Sequence, residues 1–117
     1  MRRALIVVVL SVGFTGCSSS SSSSSDPVEL CHSAVTAFCN KYFTCFPTEA
    51  QQQFTTASNC ISTEIANECP TTAAAACTPP QTFNANNANA CVTGYANQSC
   101  TDFGNNVTPA ACDNICT

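Results

Sequence analysis

The chain of 117 residues is poor in charge, and almost none of that charge is basic. Three Lys or Arg stand against seven Asp or Glu. Two of the three bases, Arg2 and Arg3, lie at the start, so beyond them Lys41 alone faces all seven acids, a net charge of −6. Nucleic-acid binding needs a basic surface, so no nucleic-acid partner is expected. Direct attraction to anionic lipid headgroups is excluded on the same ground. There is no Trp and a single His, His32. No CxxC occurs, the spacing that a thiol–disulfide redox centre prefers and that structural zinc sites often carry. No apolar run approaches the roughly 20 residues of a membrane-spanning helix. No segment alternates cleanly enough to be a strand.

Cysteine is what the chain has in excess, with 11 residues. That content marks a disulfide scaffold rather than an ordinary cytosolic enzyme. The length allows one small domain. An odd count leaves one cysteine to be explained.

The first sixteen residues read as an export address. Met1-Arg2-Arg3 is a basic start, and residues 4–14 form an almost unbroken apolar run. Its length fits the hydrophobic region of a signal peptide. The run ends at Phe14-Thr15-Gly16-Cys17. This resembles a bacterial lipobox, with Phe14 where Leu is usual. The resemblance implies that Cys17 becomes the mature N-terminus and carries the lipid; ordinary signal cleavage or a retained anchor is the alternative. Two or three acyl chains would hold the protein to a leaflet, since each buried methylene contributes about 0.8 kcal/mol. Ser18 follows the cysteine, where Asp would signal retention at the inner membrane, so the outer membrane is favoured. Residues 18–25 are eight serines. Such a run has nothing to bury and is expected to be a flexible spacer, with a glycosylated stalk as the alternative. The expected organisation is a signal peptide over 1–16, lipidated cysteine and tether over 17–25, and a disulfide-rich domain over 26–117.

Within the domain the spacing is helical. Asp26-Pro27-Val28-Glu29 is a strong helix start, with an N-cap, Pro in the first turn and an acid three residues after the cap. Cys31, Val35, Phe38, Tyr42 and Cys45 then share one face, and Pro47 ends that helix. Thr48 to Gln51 reads as a second capping box. Phe54, Ile61, Ile65 and Cys69 continue at helical spacing, with a break near Thr55-Thr56. Pro70 and Pro79-Pro80 bracket an alanine-rich piece ending at Cys77. Asn84 caps a third helix carrying Ala88, Cys91, Val92 and Tyr95. Gly104-Asn105-Asn106 is a turn, and Thr108-Pro109 opens a last helix bearing Cys112 and Cys116. The fold class expected is all-α, a small bundle of three to four short helices stapled by about five disulfides. Large apolar side chains are few, so the core is thin. Disulfides at about 2–4 kcal/mol each must compensate.

Ten cysteines lie in the domain: Cys31, Cys39, Cys45, Cys60, Cys69, Cys77, Cys91, Cys100, Cys112 and Cys116. If the first two helices form an antiparallel hairpin, residues equidistant from one centre face each other. The positions of Cys39 and Cys60 sum to 99 and those of Cys31 and Cys69 to 100, so one register predicts both pairs. Cys31, Cys60 and Cys91 also recur at 29 and 31 residues, and Cys39, Cys69 and Cys100 at 30 and 31. This is either a weak repeat or the coincidence of helices of similar length.

Paired cysteines on a helical hairpin are similar to the twin CX9C proteins, but the intervals here are eight and nine residues and the export signal differs, so a shared physical solution is meant rather than kinship. The whole chain, with its lipobox, serine tract and short Cys-rich helical domain, resembles the small predicted lipoproteins of myxobacteria and related envelope-rich bacteria. That resemblance implies an envelope location and brings no catalytic residues.

Catalytic and metal-binding arrangements are weak. His32 beside Cys31 and the Cys112/Cys116 pair lack metal-ligand spacing. Glu64 and Glu68 lie one helical turn apart, as paired acid–base carboxylates can, but a solvated helix face is the simpler reading. Asn97-Gln98-Ser99 and Asn106-Val107-Thr108 match a eukaryotic glycosylation acceptor and read as chance. No catalytic residue, metal or cofactor is expected. The function expected is a non-enzymatic, lipid-anchored protein of the bacterial cell envelope, structural or binding an unidentified protein or envelope partner. The alternative is a surface-displayed inhibitor or toxin-like effector, which calls for an exposed apolar or aromatic loop, for example around Phe103.

Overall fold

A computed structural model describes residues 24–117. The expected signal peptide, the expected lipidation site Cys17 and most of the serine tract therefore lie outside the described residues. Five α-helices form: α1 (Pro27–Cys45), α2 (Pro47–Phe54), α3 (Ala57–Glu68), α4 (Ala85–Asn97) and α5 (Cys100–Gly104), with 3-10 turns at Ala73–Ala75 and Ala110–Asn114. The all-α class is as the spacing predicts, but the helices are more finely divided than the three to four expected. Thr55 and Thr56 separate α2 from α3, and α5 occupies a stretch to which the spacing assigns no element.

The caps explain most boundaries. Asp26 Oδ1 accepts from the Val28 N–H at 2.9 Å, and Pro27 fills the first turn. Asn84 Oδ1 accepts from the Asn87 N–H at 3.0 Å and opens α4. Thr56 Oγ1 does the same for Asn59 and α3, and Ser99 Oγ for Asp102 and α5. The second capping box is not used. Pro47 has a helical φ built in and no N–H to satisfy, so α2 begins at Pro47 and Thr48 lies inside it. The last helix expected after Pro109 is only the 3-10 turn, and Cys116 lies beyond it. There an isolated antiparallel bridge pairs Phe83 with Cys116. Thr82 and Thr117 exchange two backbone hydrogen bonds at 2.7 and 3.0 Å around it. The chain's end is thereby fixed to the entry of α4.

Helix α1 is the centre of the bundle and touches each of the other four α-helices. The pairing is Cys31–Cys69, Cys39–Cys60, Cys45–Cys100, Cys77–Cys116 and Cys91–Cys112, with Cα–Cα distances of 4.7–5.9 Å. The first two are the pairs that the hairpin register predicts. The cysteine repeat does not extend to the bonding, because Cys60 reaches α1 while Cys91 reaches the C-terminal turn. Cys39 and Cys60 are both 0% exposed and are the largest fully buried side chains. Phe54 packs on this disulfide, with Val35, Phe38, Tyr42, Phe43 and Ile61 around it. Sulfur thus stands where a larger domain would place branched aliphatic side chains.

The last serines are not separate from the domain. The Ser24 carbonyl accepts from Asn89 Nδ2 of α4 at 3.0 Å, and Ser24 Oγ donates to Glu29 at 3.0 Å. The chain is therefore held to the domain from Ser24 onward, two residues before the expected boundary.

Candidate functional site

The last turns of α1 carry Phe38 and Tyr42 at the i, i+4 spacing that stacks side chains on a helix face, and Phe46, the cap residue between α1 and α2, follows them. Phe54 at the end of α2, Tyr95 on α4 and Phe103 on α5 close around them. Phe103 lies 5.2 Å from Phe38, 6.2 Å from Tyr42 and 6.3 Å from Phe46 between ring centroids, stacked on the last. Tyr95 meets Phe38 edge-on at 5.9 Å, and Tyr42 meets Phe54 edge-on at 6.4 Å. Such separations suit attractive aromatic pairs. The Cys45–Cys100 disulfide holds α5 against the end of α1 and so fixes Phe103 in place. Gly104 permits the contact: a Cβ there would come within 2.7 Å of the Phe46 ring.

The rings pack on one another and leave part of their surface uncovered. They line a cleft of about 520 Å³, open on one side, within the size range of small-molecule sites. Its polar lining includes the carboxylates Glu49 and Glu64 and the uncharged Gln53, Gln98, Asn106 and Thr108. Tyr42 Oη donates to Gln53 Oε1 at 3.1 Å. Gln98 donates through Nε2 to the Val107 carbonyl, while its Oε1 is buried with no hydrogen-bond partner. Burial, and secondarily the Asp113 carboxylate, raise the Tyr95 hydroxyl above the usual tyrosine range, so it stays neutral and able to donate. Among the described residues no Lys, Arg or His lines this cleft.

The residues singled out from the sequence are dispersed. His32 lies in a shallow groove on another face of α1, with Thr36, Asn40 and Lys41. Its neighbour Cys31 is in a disulfide, so the two form no metal pair. Cys112 and Cys116 bond to different partners. Among the described residues no group of three His, Cys, Asp or Glu comes together as a metal site. Glu64 and Glu68 part company. Glu68 is exposed, whereas Glu64 is half-buried at the aromatic cleft, which corrects its reading as part of a solvated face. Asn97 and Asn106 are exposed. Phe103 is packed into the cleft rather than displayed on a loop. The exposed large apolar side chain is Val107, at 51%. No described helix is long and apolar enough to cross a membrane.

No protein-family model, curated protein or solved structure matches the chain.

Proposed function

We propose that the chain is a non-enzymatic, lipid-anchored protein of the bacterial cell envelope, of the kind that the small Cys-rich lipoproteins represent, and that its stapled domain is a binding module. The observation that carries the reading is the cysteine ledger. Ten cysteines pair among themselves in the domain, and the eleventh, Cys17, stands after a signal-like apolar run and two small residues, where lipid is attached. Ser18 favours the outer membrane. The attachment of Ser24 at the start of α1 supports presentation of the aromatic cleft away from the leaflet. From Pro27 to Tyr42 the helix rises roughly 20 Å at about 1.5 Å per residue.

Membrane fractionation of the wild type and of Cys17→Ala tests the anchor. The wild type is expected in the membrane fraction, with its processing blocked by globomycin, and the variant in the soluble fraction. Unchanged fractionation of Cys17→Ala defeats the reading. Mass spectrometry of the mature protein should show acyl chains on Cys17 and the loss of ten hydrogens to five disulfides.

A further inference from the structure

The aromatic cleft has a definite electrostatic character. Aromatic faces carry the negative part of the ring quadrupole. Glu49 and Glu64 add two carboxylates to the same lining, and no basic side chain among the described residues offsets them. Rings and carboxylates both favour positive charge, and the apolar bulk of the lining favours an alkylated cation over a hydrated metal ion or a bare ammonium. We propose that this cleft binds an alkylated ammonium group, its methyl groups against the rings of Tyr42, Phe46 and Phe103 and its charge offset by Glu49 and Glu64. Aromatic cages recognise quaternary ammonium ions through this chemistry.

The group could arrive on a free small molecule or on a phospholipid headgroup. The headgroup brings a phosphate next to the ammonium, and the two carboxylates oppose it, so the free cation is the better fit. The inference rests on reading the domain as a binding module; it does not depend on Cys17.

The protein supplies its own probe. It has no Trp and only two tyrosines, and both, Tyr42 and Tyr95, line the cleft. Intrinsic tyrosine emission of the full-length protein, purified in a glycoside detergent at constant chloride, would be followed while choline, its neutral isostere 3,3-dimethylbutan-1-ol, or phosphocholine is added. Choline should give a saturable change with a dissociation constant on the order of 1 mM, as suits so small a ligand. The neutral isostere should bind at least about tenfold more weakly, and phosphocholine more weakly than choline. Glu49→Gln with Glu64→Gln, which keeps the side-chain volumes, should weaken choline about fivefold or more without changing the response to the isostere. Equal binding of isostere and choline would make the cleft merely apolar and overturn the proposal. So would tighter binding of phosphocholine, or no saturable change at about a hundredfold excess over the expected constant. Failure here leaves the Cys17→Ala fractionation untouched, and failure there leaves this titration untouched.

Discussion

Residues 27–69 and residues 70–117 each carry five cysteines. Each region forms two internal disulfides, and Cys45–Cys100 joins the two. With equal covalent resources they are built differently. The first region is three helices around a buried disulfide, and it holds Leu30, Cys39, Ala50, Phe54 and Cys60 in the interior. The second buries only Ala88 and Cys91 to the same degree. Outside α4 and α5 it consists of an exposed alanine turn, a bridge of one residue pair and a 3-10 turn. In the first region disulfides supplement packing. In the second they stand in for it: Cys77–Cys116 ties two irregular segments to each other, and Cys91–Cys112 ties the C-terminal turn to α4.

Removing one disulfide from each region tests this contrast most strongly. Loop entropy alone ranks Cys77–Cys116, with a separation of 39, slightly above Cys39–Cys60, with 21; it assigns about 4 and about 3 kcal/mol respectively. Burial reverses the order. Cys39→Ala with Cys60→Ala leaves a void at the most buried point of the bundle, and cavity loss adds to the lost cross-link. We expect a loss of about 4–5 kcal/mol there. For Cys77→Ala with Cys116→Ala we expect about 2 kcal/mol, because the released chain is exposed and can open locally without the bundle. Urea unfolding of both variants reads the order directly. Equal or reversed losses would show that burial does not separate the two regions.

The same contrast governs what was legible beforehand. Asp26 and Asn84 act as the caps that the sequence predicts, because the Asx side chain and its N-terminal setting are local. The Cys31–Cys69 and Cys39–Cys60 pairs follow from a single hairpin register, which needs only helix periodicity and one turn. The pairs of the second region have no such rule, since they join α4 and a loop to a segment that is neither helix nor strand. Thr48 misled because Pro47 begins the helix two positions before a Thr48 cap would. The cleft was only half legible. Phe38 and Tyr42 share a face at helical spacing, but nothing local says that Phe46 and Phe103 join them. Ser99 followed three residues later by Asp102 is a cap signature that would have placed a helix there and turned Phe103 inward. Glu64 reads as surface because its partners across the cleft come from elements distant in sequence.

A smaller effect separates the regions through glycine. The two described glycines, Gly94 and Gly104, both lie in the second region. A Cβ on Gly94 would stand 2.6 Å from Pro109 Cβ, so α4 and the C-terminal segment approach closely at that point. Gly94→Ala gains about 1 kcal/mol of helix propensity and incurs about 1–3 kcal/mol of overpacking. A net loss of about 1 kcal/mol in urea unfolding is expected. A net gain would mean that the segment around Pro109 moves aside freely and is not seated on α4.

The smallest expected effect runs the other way and lies in the first region. Thr55 has φ 68 and ψ −51, and the Thr56 N–H donates to the Phe54 carbonyl at 2.7 Å. This is a γ-turn, a strained conformation for a β-branched residue. It is held because Phe54 is fixed in the core on one side and Thr56 caps α3 on the other. Glycine adopts positive φ without the Cβ penalty, although it also widens the unfolded ensemble. Relief of about 1–2 kcal/mol of strain against about 0.5–1 kcal/mol of added entropy leaves Thr55→Gly more stable by about 0.5 kcal/mol. The corresponding rise in melting temperature is roughly 2–4 °C for a domain of this size. A fall would show that the first region does not impose the turn on Thr55. Its rigidity would then depend on its disulfides as much as that of the second region does.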